Sequence, residues 1–195
     1  MIKRFLFPLI LLLISLISAG QNNFYARLAE AAMKLDDPTV IYDGRYVSIG
    51  YPNGDVPSNR GVCTDLVIRT YRSLGIDLQK EVHEDMRLNF SEYPYIWGLT
   101  STDRNIDHRR VPNLMKFFSR HGETMPISND PNSYKPGSIV CWNLGGGLTH
   151  IGVVVNEKSE DGERYLIMHN IGGGQVLADC LFEFEIIGHY RYGGD

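Results

Sequence analysis

Apolar positions in the first third of the chain recur at helical spacing. Tyr25, Leu28 and Ala32 form one stripe, which predicts a helix over residues 24–34 that stops before Asp36-Asp37-Pro38. No period holds over residues 39–49, which read as extended or irregular. A Gly-, Pro- and Asn-rich stretch then gives way to Val67, Tyr71 and Leu74, with Leu66 and Thr70 beside them, one face of a helix over residues 63–74 that Gly75 ends. Further helices are predicted over residues 78–88 and over residues 111–121, the second closed by Gly122. Beyond Pro136-Gly137 the period falls from about 3.6 to 2, and residues 138–142, 148–155, 164–170 and 184–192 read as strands. Gly145-Gly146-Gly147 and the charged turn 156–163 join the first three as hairpins. Helices followed by a mostly antiparallel sheet predict an α+β class, and with no repeat, heptad run or low-complexity linker one domain is expected.

The chemistry-bearing residues fall at special places in this pattern. Cys63, in Gly61-Val62-Cys63-Thr64-Asp65, opens the helix over residues 63–74. The unpartnered N–H groups of a first helical turn, with the helix dipole, favour a thiolate, so the position suits a nucleophile. His150, Gly152 and Val154 share one face of their strand and Ile151, Val153 and Val155 the other. His150 lies near the start of its strand and His169 near the end of the next, which in an antiparallel pair can set them side by side. A cysteine facing two such histidines supplies nucleophile, base and orienter. Asp65 puts a carboxylate in the first helical turn, where it opposes a thiolate or binds a cationic substrate group. Arg109 and Arg110, in His108-Arg109-Arg110, read either as a solvated helix start with local salt bridges or as a clamp for a carboxylate.

Tyr51-Pro52-Asn53-Gly54-Asp55, the following Cys63, Pro136-Gly137-Ser138-Ile139-Val140 and Thr149-His150-Ile151-Gly152-Val153 resemble the NlpC-type cell-wall cysteine peptidases of the papain-like superfamily. The resemblance implies a papain-like core with the Cys helix packed on an antiparallel sheet. It also implies Cys63 as nucleophile, His150 as base, His169 as third member ahead of the adjacent Asn170, and Tyr51, 12 residues before Cys63, as a site residue near the oxyanion. The implied reaction is cleavage of an amide in a peptidoglycan stem peptide or small peptide, with no cofactor. A closer resemblance runs over nearly the whole chain after the leader. It is to a bacterial secreted family known as domain of unknown function 1287, through Gly61-Val62-Cys63-Thr64-Asp65, the segment 105–113 and Gly188-His189-Tyr190-Arg191-Tyr192. Where NlpC-type chains have a Ser-Gly pair after the nucleophile, Thr64-Asp65 stands here, and the segment 81–133 is longer than a minimal member needs.

The N-terminus sets the expected compartment. Basic Lys3-Arg4, an apolar run over residues 5–17 and small Ser18-Ala19-Gly20 make an export signal over residues 1–20, too short in its apolar part to span a bilayer. Residues 21–195 are then a single hydrolase domain, expected in the periplasm as a monomer with no membrane span. Sequencing the secreted protein should find Gln21, or a position within a residue or two, at its N-terminus; an intact Met1 on membrane-recovered protein would indicate an anchor instead. Loss of Lys3 and Arg4 leaves 17 basic against 23 acidic side chains, a net charge of −6 unsuited to nucleic acid.

Cys141 and Cys180 read either as core residues or as a disulfide that leaves Cys63 free. His83, His121 and His189 read as surface or satisfied residues. Two other functional classes fit the pattern. One is a zinc protein on Cys63, His150 and His169; the other is a non-catalytic module holding a cell-wall ligand on Trp97, Trp142 and the arginines.

Overall fold

The computed structural model describes residues 23–193; the expected export signal over residues 1–20 lies outside them. Helix α1 covers residues 23–33, with Tyr25, Leu28 and Ala32 buried as their spacing predicts. Strand β1 (Ile41–Tyr42) runs parallel to β2 (Arg60–Gly61), with Tyr42 opposite Gly61. Helix α2 (Cys63–Arg72) starts directly after that pair. The Asp65 carboxylate accepts the Val62 N–H at 2.7 Å, satisfying one of the donors that a helix start leaves over. Gly75, at φ 86°, lets the chain turn away past the last turn. Helix α3 (Leu78–Leu88) is capped by Asp77, which accepts from Lys80 N–H, and α4 (Val111–His121) carries Pro112 in its first turn, where no N–H is needed.

Strand β3 (Glu123–Thr124), β4 (Ile139–Gly145), β5 (Leu148–Lys158), β6 (Tyr165–His169), β7 (Val176–Ala178) and β8 (Glu185–Arg191) form one antiparallel sheet in the order β3-β8-β4-β5-β6-β7. Gly146 and Gly147, both at positive φ, make the two-residue turn between β4 and β5, a conformation whose twist matches the flanking strands. The chain is thus α+β with an antiparallel sheet, as the change of period predicts.

The alternation along the strands sorts two apolar layers. Ile139, Cys141, Ile151, Val153, Val155 and Met168 face the helices and pack with Leu66, Val67 and Tyr71 of α2 and Leu114 and Phe118 of α4. Each fully buried Leu or Val side chain there contributes about 1.5–3 kcal/mol over its exposed state. Val140, Trp142, Val154 and Ile167 face the other way and are covered by Tyr134, Cys180 and Leu181. Trp142 is core, its Nε1–H donating to the Leu181 carbonyl at 2.9 Å, so it offers no surface to a ligand, contrary to the binding-module reading. Cys141 and Cys180 lie in different layers and all three cysteines are free, which settles the open pairing against a disulfide.

Candidate active site

Cys63 is 4% exposed at the first position of α2 and belongs to the helix-side layer with Cys141 and Ile151. Its thiol meets the backbone N–H groups of Ile151 and Thr64. These N–H groups favour the thiolate, but burial outweighs them, the Asp65 charge adds to burial, and the thiol is pushed up to about 12. The expectation of a thiolate held ready by the helix start is therefore reversed. Buried in this way, the resting group is a neutral thiol.

The two histidines do come together, as strand pairing predicts. His150 Nε2 lies 2.8 Å from His169 Nδ1, both rings buried. The pairing of Val153 with Met168 places Gly152 opposite His169. A Cβ on Gly152 would stand 2.7 Å from Ile167 Cγ2 and 3.2 Å from His169 Cβ, so glycine is what lets the two strands carry the paired rings here. Burial first, then the neighbouring His169, hold His150 down at about 3, and burial lowers His169. Both rings are neutral at pH 7, so one nitrogen of the contact donates and the other accepts. His150 Nδ1 makes no hydrogen bond among the described residues.

The thiol does not look onto the face that carries these rings. His150 lies opposite Trp142 in register and its ring is 5.7 Å from the indole, on the far layer. The sulfur instead reaches the strand at the Ile151 N–H, the peptide unit attached to His150, and no hydrogen bond joins Cys63 to His150 in this resting arrangement. His169, not Asn170, meets His150; Asn170 turns the other way, its Oδ1 accepting from Gly172 N–H and its Nδ2 donating to the Gly61 carbonyl at 3.5 Å. Cys180 Sγ lies 3.9 Å from His169 Nδ1, an approach the sequence does not announce.

A cleft of about 500 Å³ opens over Cys63, lined among others by Tyr42, Trp97, Arg110, Val111 and Leu148. Tyr42 is a residue that the sequence pattern misses. Its hydroxyl lies beside the Cys63 thiol, and partial burial with the charges of Cys63 and Asp65 pushes the phenol up to about 12. The parallel β1–β2 pairing puts it there, by setting Tyr42 opposite the Gly61 that precedes Val62 and Cys63.

Three site expectations need correction. Tyr51 is not at the thiol: its hydroxyl donates to Glu84 at 3.4 Å and its ring meets His83 edge-on at 5.4 Å. The turn around it is tied to the start of α3, Asn53 N–H donating to Asp77 and Gln79 bonding Gly50 and Gly54, and this carries Tyr51 away from the cleft. Asp65 is not available to a cationic substrate, and Arg109 is neither a solvated charge nor a free clamp. They form a buried pair, Arg109 Nε and Nη2 donating to the two Asp65 oxygens at 2.8 and 3.0 Å. Arg109 also donates to the carbonyls of Asp43 and Arg45, and its own carbonyl accepts from the Thr64 hydroxyl. The pair thus fastens the start of α2 to the segment behind β1. Arg110 alone of these lines the cleft uncommitted, its guanidinium 4.1 Å from the centre of the Trp97 ring.

Buried histidines make the fold sensitive to acid. His150 and His108 stand at about 3 against an ordinary 6.5, in each case through burial first and neighbouring cations or imidazole second. Between those values the unfolded chain holds two protons that the folded one lacks, so this stability is complete above about pH 6.5 and is lost as pH falls toward 3. Asp107 runs oppositely: burial raises it to about 6, and its proton favours the fold below that pH. Two histidines outweigh one carboxyl. The urea midpoint is expected to fall between pH 7 and 4.5, and a level or rising midpoint would contradict the assignment.

Among the described residues no three His, Cys, Asp or Glu side chains are gathered as a metal ion requires, so the zinc reading is not carried further. No helix of the described residues is long and apolar enough to cross a membrane.

An α+β domain with a buried thiol at a helix start, a paired-histidine strand end and a cleft over the sulfur is what the chain presents. Residues 29–192 match the family described as Domain of unknown function (DUF1287), and the chain belongs to that family. It is 52% identical over 172 residues, 88% of this chain and 83% of the relative, to the Escherichia coli (strain K12) protein described as Uncharacterized protein YijF. No solved structure matches the chain.

Proposed function

We propose that the protein is a secreted cysteine hydrolase of papain-like, NlpC-type architecture that cleaves an amide bond in peptidoglycan stem peptides, with Cys63 as nucleophile, His150 as base and His169 as its orienter. The observation that carries this reading is the junction at Ile151, whose N–H touches the Cys63 sulfur while the preceding residue, His150, keeps Nδ1 free and Nε2 held by His169. Covalent geometry keeps Nδ1 within a few ångströms of that peptide nitrogen, and proton transfer then requires the His150 ring to turn from its place beside Trp142 toward the sulfur.

Burial disfavours either charge alone, but a thiolate and an imidazolium formed side by side offset one another. As the sulfur attacks the carbonyl carbon, the thiol proton passes to His150 Nδ1. The oxyanion forms against the N–H groups at the start of α2 and the Tyr42 hydroxyl. Collapse breaks the C–N bond, His150 returns the proton to the leaving amine, and a thioester remains on Cys63. Water, deprotonated by His150, then releases the acid and restores the thiol. His169 fixes the tautomer of His150 and steadies its imidazolium.

Purified peptidoglycan incubated with the protein should yield fragments carrying new amine and carboxyl termini by mass spectrometry. Intact stem peptides after long incubation would count against this substrate.

A further inference from the structure

The charges around the cleft identify a class of ligand. Its lining contains Arg109 and Arg110 and no Asp or Glu, and Arg109 is already neutralised by Asp65. Arg110 makes no hydrogen bond or ion pair through its guanidinium among the described residues, and its Nη1 is buried without a partner. Partial burial weighs against its charge, and the carboxylates of Asp107 and Asp103 pull the other way without forming an ion pair to it. A guanidinium so placed is costly to leave unsatisfied and has geometry suited to two oxygens of one anion.

Two further features point the same way. Val62 and Cys63 at the start of α2 and Val111 and Pro112 at the start of α4 line one cleft, so the positive ends of two helix dipoles converge on it. The Trp97 ring against Arg110 steadies the guanidinium without consuming its donors, which leaves the fork to a ligand.

We propose that the Cys63 cleft selects acyl compounds bearing a free carboxylate close to the amide that is cut, and that Arg110, steadied by Trp97, binds that carboxylate. This deepens the hydrolase reading and rests on it for the cleavage of the amide; the binding preference itself stands without it. Peptides whose carboxylate is amidated fit the same cleft but leave Arg110 unpaired. Specificity against them therefore comes from a partly buried guanidinium that makes no ion pair among the described residues.

The test uses the Cys63→Ala protein, which binds without turnover, and calorimetric titration with N-acetyl-alanyl-alanine and with its C-terminal amide. The free acid should bind at least about tenfold more tightly than the amide. Arg110→Gln in the same background should bring the acid down to the amide's affinity and leave the amide unchanged, while Arg110→Lys keeps part of the preference. Equal affinities for the two peptides, no binding of either at millimolar concentration, or a preference that survives Arg110→Gln overturns the assignment. The first comparison needs no change at Arg110, so a variant that folds poorly does not spare it. A preference for the acid in a protein whose wild type cleaves nothing sinks the hydrolase reading alone. Cleavage without any preference sinks the Arg110 assignment alone.

Discussion

Cys63→Ala is expected to remove turnover entirely, His150→Ala to lower it by about 10³-fold or more, and His169→Ala to lower it by about 10- to 100-fold. The ranking follows from what each group does. The sulfur forms and breaks the bond to the acyl carbon, and His150 moves the proton in both halves of the reaction. His169 acts through its 2.8 Å contact with His150, which sets a tautomer but transfers nothing. Asn170→Ala should be the mildest of the four, because its amide serves the turn at Gly172 and the Gly61 carbonyl. Steady-state rates on stem-peptide fragments, with folding verified for each variant, decide the order. If Asn170→Ala proves as damaging as His150→Ala while His169→Ala stays near wild type, the third member is off by one residue.

Arg109→Met should cost about 3–5 kcal/mol of stability, the largest loss expected from any single change at the cleft. It leaves the Asp65 carboxylate buried with only the Val62 N–H as partner. It also frees the carbonyls of Asp43 and Arg45 that Arg109 now satisfies. Replacing both members, Asp65→Leu with Arg109→Met, should restore a good part of the loss, since no lone charge then remains. Urea denaturation of the three proteins measures this. A single variant within about 0.5 kcal/mol of wild type would mean that the pair holds nothing in place.

Where an element is long and carries its own period, the pattern and the structure coincide. Residues 78–88 and 111–121 are helical over the lengths their stripes predict, and α2 stops at Arg72, two residues before the expected end. The adjacency of His150 and His169 was legible too, because strand alternation and hairpin order alone bring them together. What escaped depends on partners far along the chain. Strands β1 and β2 have two residues each and exist only as a pair, so nothing local marks Tyr42 as a neighbour of Cys63. The three residues of β7 are too few to show a period. His108-Arg109 looks like a solvated charge cluster until Asp65, 44 residues earlier, takes up the guanidinium. The raised thiol pKa was hidden for a similar reason: the helix start is local, but the burial that overrides it is tertiary.

The most direct test of Cys63 as nucleophile is to trap the acyl group on it. Protein mixed with stem-peptide fragments, quenched in acid within the first turnovers and digested, should show the acyl mass on the peptide containing Cys63. The Cys63→Ala protein should show no adduct, and peptides containing Cys141 or Cys180 should remain unmodified. Release of products with no adduct on Cys63 at any quench time, together with undiminished release by Cys63→Ala, would contradict a cysteine mechanism outright.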